Sequence, residues 1–240
     1  VYQGETTLPS VIDELLPYTE PSRTARGTEF QVSEILLVHD NGPDASDDTM
    51  RALAEAHPVV RPVWLSRNFG QHAATLAGMA STGGDWIVTM DEDGQHDPKF
   101  IADMLDTALT QQASLVYSMA RNPPPHGFVR NLASVGAKRV LSSASGLKNA
   151  KDFQSFRLML GSIGRSVAAY AGPNIYLDVA LGWVTKDVAT CPIDLREEGD
   201  RPSGYNYKSL FGHFWRMFLT SGTRGLRAVS LLGVVAAIAG

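Results

Sequence analysis

Cysteine is nearly missing from this chain: Cys191 is the only one in 240 residues. A single thiol excludes an internal disulfide and fits a reducing compartment. Its place after an apolar run predicts a small buried side chain. The opening VYQGETTLPS has neither a basic nor an apolar stretch, so no secretory signal is expected. A GxGxxG fingerprint and a P-loop are both lacking, which disfavours a dinucleotide fold and an NTPase. Without internal repeats or low-complexity tracts, the length suits one large α/β domain with an appendage.

Acidic residues stop at Asp200. Beyond it the charged side chains are Arg201, Lys208, Arg216, Arg224 and Arg227. The net charge of −4 therefore divides into a body of about −9 and a tail of about +5. A basic, aromatic, apolar tail suits an anionic membrane surface and is too greasy for nucleic acid. Leu210, Phe211, Phe214, Trp215, Phe218 and Leu219 follow helical spacing, with Lys208, His213 and Arg216 largely on the other face. This pattern predicts an amphipathic interface helix over 206–224; a helix half-buried on the domain is the competing reading. From Leu226 onward the chain is apolar apart from Arg227 and Ser230. As a helix this stretch reaches about 22 Å, short of a hydrocarbon core of roughly 30 Å. It reads as the start of a transmembrane helix over 225–240, with a core helix as the alternative.

Residues 1–205 alternate between strand and helix patterns. EILLVHD, PVVRPVWLS, GDWIVTMD and ASLVYSMA read as strands, separated by helices in DDTMRALAEAH, AATLAGMAS and KFIADMLDTALT. Such alternation implies a mostly parallel sheet covered on both faces. Further on, DFQSFRLML reads as a strand, SIGRSVAAYAG as a helix, and DVATCPIDL as a strand pair broken by proline. The polar loops DNGPDAS, RNFGQH and DEDGQHD follow strands, at the edge where open α/β sheets bind ligands.

MDEDGQHDP, Met90 to Pro98, stands where a buried strand runs out. Extended geometry would send Asp91, Asp93 and Gln95 to one side. Two carboxylates about 4 Å apart repel by about 4 kcal/mol at an effective dielectric near 20. A hard divalent cation relieves that repulsion, and oxygen ligation suits Mg2+ or Mn2+ rather than zinc. The alternative is an acidic turn leading into a helix, since Asp97-Pro98 has the cap-then-proline pattern. His96 reads as packing beside the loop or binding a phosphate oxygen, with metal ligation as the alternative, and Asp178 in NIYLDVAL reads as a helix-surface acid.

Taken together, the segments resemble glycosyltransferase family 2 enzymes of the GT-A (Rossmann-like) fold, in the branch that glycosylates polyprenyl or dolichyl phosphate. VYQGETTLP is similar to VYNEExxLP, VHDNGPDAS to VDDGSxDGS, and LSRNFGQHAATLAG to LxRNFGxxAAxxAG, the most specific match. MDEDGQHDP resembles MDxDLQHPP, DFQSFRLM resembles DxxSGFRLM, and RPSGYNYKSL resembles the loop that precedes the membrane helices. The chain departs from the pattern at three places. The family's first strand, before VY, has no counterpart; His39 replaces the first aspartate of VDDGS; Gln3 and Gly4 replace the asparagine and first glutamate of VYNEE.

The resemblance implies a metal-dependent inverting transferase. It would move a sugar from a nucleotide diphosphate sugar (UDP favoured, GDP-mannose the alternative) to polyprenyl phosphate. Tyr2, Glu5, Asp40, Arg67 and Asp91 would bind the nucleotide sugar, and Asp91, Asp93 and Gln95 the Mg2+ or Mn2+. Arg121, Arg130, Arg201 and Lys208 would face the acceptor phosphate, with Asp91, Asp93 and Arg130 as catalytic residues. The catalytic domain would lie on the cytoplasmic face of a membrane, and a homo-oligomer is compatible with the sequence. Two rivals remain at this point: a transferase with a saccharide or lipid-linked glycan acceptor, and a non-catalytic nucleotide-sugar-binding protein.

Overall fold

In the computed structural model, residues 1–122, 153–172, 175–196, 230, 233–235 and 237 are described. The first helix, α1 (Leu8–Leu15), carries a proline in its first turn and buries Leu8, Ile12 and Leu15 on one stripe. A 3-10 turn (Leu16–Thr19) leads to a short antiparallel hairpin of β1 (Ser22–Arg23) and β2 (Glu29–Phe30). The buried carboxylate of Asp106 pins this hairpin, accepting from the Thr24 hydroxyl at 2.6 Å and the Arg26 N–H at 3.1 Å.

β3 (Ile35–His39) pairs in parallel with β4 (Val60–Trp64) across α2 (Ser46–Ala56). α3 (Gln71–Ser81) then leads to β5 (Trp86–Thr89), and α4 (Phe100–Gln111) to β6 (Leu115–Ala120). β7 (Arg157–Leu160), α5 (Gly161–Tyr170), α6 (Leu177–Val184) and β8 (Val188–Ile193) complete the described order.

The second sheet runs β5-β7-β6-β8, with β7 antiparallel to both neighbours and β8 parallel to β6. The mostly parallel sheet expected from the sequence is thus mixed among the described strands. Strand-helix alternation fixes direction only where a helix returns the chain over the sheet. β7 is reached through residues 123–152, which lie outside the described set, and enters the other way. The expected strand pair in DVATCPIDL is one strand. Pro192 is tolerated because β8 lies at the edge of the sheet.

Alternation along the strands divides the core between two faces. Leu37, Val116, Leu158 and Cys191 pack with α1, α2 and α4, whereas Ile87, Leu115, Tyr117 and Met159 pack with α3, α5 and α6. The result is three layers with helices on both faces, as the patterning predicted. Cys191 is a free, buried thiol, as expected. The two C-terminal segments, 206–224 and 225–240, lie outside the described residues apart from a few helical positions. Among the described residues no helix is long and apolar enough to cross a membrane.

Candidate active site

The polar loops converge where β3, β5 and the first turn of α3 meet. Asp40, at the end of β3, is buried and accepts from the Phe69 N–H at 2.7 Å and the Gly70 N–H at 2.8 Å, one on each oxygen. The carboxylate faces the amino end of α3, where the helix dipole favours negative charge. Gly70 has φ +90, a backbone conformation that glycine alone adopts without strain. Asp40, which the resemblance assigns to the nucleotide base, thus holds the RNFG loop in place. Arg67 projects from that loop with its guanidinium 4.7 Å from the Phe69 ring centre.

Asp91 draws three distant segments together. Its Oδ1 accepts from Gln71 Nε2 of α3 at 2.6 Å, and its Oδ2 from Ser155 Oγ before β7 at 2.6 Å. Its own N–H donates to His96 Nδ1 at 3.2 Å. His96 is buried, stacks on Phe156 with ring centres 4.9 Å apart, and has its pKa lowered by burial. A neutral ring accepting at Nδ1 carries its proton on Nε2. His96 is therefore a loop support, as expected.

The extended geometry expected for Asp91, Asp93 and Gln95 does not hold. β5 ends at Thr89, and Gly94 at φ +77 turns the chain. The turn lets Asp93 Oδ1 accept the Gln95 N–H at 3.0 Å. Desolvation in the loop raises the Asp93 carboxyl above its ordinary range, and the charge of Asp91 adds to the shift. The N–H of Gln95 and the field of His96 pull the other way. The cap-then-proline reading is shifted too: α4 starts at Phe100 with Lys99 at its N-cap, and Asp97 Oδ1 instead accepts the Lys99 N–H at 3.0 Å in the turn before the helix.

Among the described residues no group of three His, Cys, Asp or Glu side chains is assembled for a metal. The loop supplies hard oxygens on Asp91, Asp93 and Gln95, and the charge of Asp91 contributes to the raised Asp93 carboxyl. That donor set fits a divalent oxygen-loving cation.

Glu92, between the two aspartates, accepts the Tyr2 N–H at 3.2 Å. Burial acts to raise its carboxyl, but the Val1 ammonium and nearby backbone N–H groups outweigh this and hold it below the ordinary range. Tyr2 itself is exposed. Glu5 accepts the Ala45 N–H at 3.2 Å, beside the start of α2, while its own N–H donates to Asp44 Oδ2 at 3.1 Å. Glu5 therefore ties the amino-terminal segment to the loop after β3. His39 lies against Trp64, ring centres 5.4 Å apart, with Arg51 over the other ring at 4.5 Å. Its Nε2 is buried without a hydrogen-bond partner among the described residues.

Arg121 is exposed and stands 3.6 Å from Asp194 at the end of the sheet. Arg130, Arg201 and Lys208 lie outside the described residues. Sequence reasoning missed Gln71 and Ser155, although both sit in quoted motifs. It also misplaced Asp178, which is buried on α6 and paired with the buried Arg157, accepting the Tyr117 hydroxyl at 2.9 Å on the same oxygen. Arg157 Nε reaches the Thr89 hydroxyl at 3.1 Å, two residues before Asp91. The helix surface was expected because an isolated acid is seldom buried; a cation twenty-one positions away in sequence makes it tolerable here.

A mixed sheet with helices on both faces, and acid-bearing loops at strand ends, is an α/β fold of the GT-A type. Glucosyl-3-phosphoglycerate synthase from Mycobacterium tuberculosis, crystallised with Mn2+, UDP-glucose and phosphoglyceric acid, has a similar fold. The TM-score is 0.61 at 19% identity over 93% of this chain and 76% of that one. A structure described as a mycobacterial protein gives a TM-score of 0.62 at 19% identity over 92% and 70%.

Residues 1–160 match the model of Glycosyl transferase family 2, and the chain belongs to that family as a glycosyltransferase. The undecaprenyl-phosphate 4-deoxy-4-formamido-L-arabinose transferase of Erwinia tasmaniensis is 28% identical over 247 residues, covering 100% of this chain and 71% of the relative. Its counterpart from Salmonella choleraesuis is 26% identical over 252 residues with the same coverage.

Proposed function

We propose that this chain transfers a sugar from a nucleotide diphosphate sugar to the phosphate of a polyprenyl lipid, with the catalytic domain on the cytoplasmic face of a membrane. The observation that carries the reading is the clamp on Asp91, which gathers the metal-type loop, the RNFG helix and the FQSF segment on one carboxylate. Relatives named for undecaprenyl phosphate support the acceptor. A fold neighbour holding Mn2+ and UDP-glucose supports a UDP-sugar over GDP-mannose.

Asp91, Asp93 and Gln95 would hold Mg2+ or Mn2+, which when bound neutralises charge developing on the leaving diphosphate. Gln71 and Ser155 fix the orientation of Asp91. Asp40 and Glu5 hold the loops beside which Tyr2 and Arg67 meet the nucleotide. Arg121, with Arg130, Arg201 and Lys208 from outside the described residues, would supply the charge for the acceptor, where paired arginine N–H groups suit phosphate oxygens. A phosphate monoester has its second pKa near 6, so the acceptor is already an oxyanion and no strong general base is required. Its oxygen forms a bond to the anomeric carbon as the bond from that carbon to the diphosphate oxygen breaks. The electron pair leaves with the nucleotide diphosphate, and the anomeric centre inverts.

Asp91→Asn and Asp93→Asn should each lower turnover by at least ~100-fold with an unchanged circular dichroism spectrum. Arg130→Ala should raise the acceptor KM. Retained turnover of either aspartate variant, in a Mn2+-supplemented assay with UDP-sugar and polyprenyl phosphate, would refute the assignment. Label that extracts into organic solvent and is released by mild acid marks a lipid phosphate product; acid-stable label points to a glycan acceptor.

A further inference from the structure

Two residues of the metal-type loop depart from the family pattern in the same direction. MDxDLQHPP has leucine where Gly94 stands and its first proline where Asp97 stands. Gly94 sits at φ +77, a conformation that leucine adopts only with strain. Glycine widens the backbone freedom just before Gln95, and the exchange of proline for aspartate releases a fixed φ just after it. Gln95 is thus flanked on both sides by looser backbone than the pattern provides. A ligand on such a loop keeps one geometry only with support from outside the loop.

Arg196, three residues past the end of β8, provides that support. Its own base is fixed to β6. The Arg121 N–H donates to Ile193 O at 2.9 Å, and the Asn122 amide clasps Leu195, donating to its carbonyl at 2.8 Å and accepting its N–H at 2.9 Å. From this base the Arg196 N–H donates to Gln95 O at 3.1 Å. Its guanidinium reaches Asp97 Oδ2 at 3.1 Å through Nη2, and the Glu14 carboxylate of α1 at 2.8 Å through Nη1. Lys99 Nζ adds a second cation on Asp97 Oδ2 at 3.0 Å. One residue therefore grips the loop on both sides of His96 and ties it to the sheet and to α1. The planar guanidinium suits that bridging task, since its N–H groups point in fixed directions.

We propose that Arg196 is a positioning residue for the donor site, acting through Asp97 and the Gln95 carbonyl to set the Gln95 side chain. The inference rests on the reading of Asp91, Asp93 and Gln95 as the metal ligands. In the family pattern a proline restrains the backbone at this place; here an ion pair between distant segments does so. The Arg196 and Asp97 side chains are 40% and 14% exposed, and ion pairs open to water add little to global stability. The effect is local to the loop, which separates it from a general role in the fold.

Arg196→Gln, Asp97→Asn and the double variant test this. Each single variant should speed amide exchange across 91–97 at least ~5-fold in the absence of metal. Each should also raise the Mn2+ concentration for half-maximal turnover about 3- to 10-fold, between the effect of an exposed ion pair and that of a ligand's direct partner. The acceptor KM should stay unchanged, and Tm should move by less than about 4 °C. The double variant should be no worse than Arg196→Gln, because both side chains act through one contact. Unchanged exchange with an unchanged Mn2+ requirement, or additive effects in the double variant, would overturn the proposal. A large fall in Tm with faster exchange throughout β8 would overturn it in favour of a purely structural role. Turnover of the unaltered chain that does not respond to Mn2+ would instead refute the metal reading beneath it, a failure located at the ligands and not at Arg196.

Discussion

Removing the carboxylate of Asp178 is the most informative perturbation of the scaffold beneath the site. The Arg157 and Asp178 side chains are 5% and 4% exposed, and Asp178 Oδ1 takes both the guanidinium and the Tyr117 hydroxyl. Burial, with Asp178 adding to it, holds the Tyr117 phenol well above its ordinary value of 10, so it stays a neutral donor. Asp178→Ala leaves a buried guanidinium whose remaining partners, the Thr89 hydroxyl and the Ser155 carbonyl, are neutral. Breaking a buried pair on one side costs about 3–5 kcal/mol, comparable to about 4 kcal/mol for unit charges 4 Å apart at an effective dielectric of 20. For a domain of this size that lowers Tm by roughly 6–20 °C. Replacing both partners, as Arg157→Met with Asp178→Leu, should cost much less than the sum of the single variants, because no uncompensated charge remains. Urea and thermal denaturation of the four proteins read the cycle. An Asp178→Ala penalty under about 1 kcal/mol, or additive single and double variants, would refute the reasoning.

Acid sensitivity should trace in part to Glu34. Burial acts to raise its carboxyl, but the Thr82 hydroxyl, the Gly83 N–H and Arg61 outweigh it and hold it below its ordinary 4.5. A lowered folded value contributes stability that is present above the unfolded pKa and is lost as pH falls through the folded one. Glu34→Gln should therefore lower the urea midpoint at neutral pH and flatten its decline below about pH 5; a parallel decline would count against the assignment. Gly42→Ala places a Cβ 1.6 Å from the Tyr2 carbonyl oxygen, and backbone cannot yield as a side-chain tip can. It should destabilise by about 1–3 kcal/mol and speed proteolysis of the amino-terminal segment, and unchanged proteolysis would show that segment held elsewhere.

Much of the architecture was legible because burial on both faces leaves near-continuous apolar runs. ILLVH, WIVT and LVYSMA announce their strands, whereas the helix α1 with its buried Leu8, Ile12 and Leu15 was not read from the sequence. The order of motifs was enough to indicate the family. The direction of β7 was not legible, since apolar alternation is the same read either way. Nor was the turn at Gly94, where local backbone freedom replaced the extended run that would have aligned Asp91, Asp93 and Gln95.

By itself the sequence determined which residues carry charge and oxygen at the strand ends: Asp40, Asp91, Asp93 and their loops. It also set the two-faced apolar patterning that places helices on both sides of the sheet. Local composition suffices for both, because periodicity and turn chemistry act within a few residues. Tertiary structure alone decided the partners. Asp91 meets Ser155 across 64 positions, and Asp178 is buried against Arg157 across 21. Asp40 and Glu5 become ties between loops. Such contacts depend on strand order and direction, which long-range packing selects and no local pattern records.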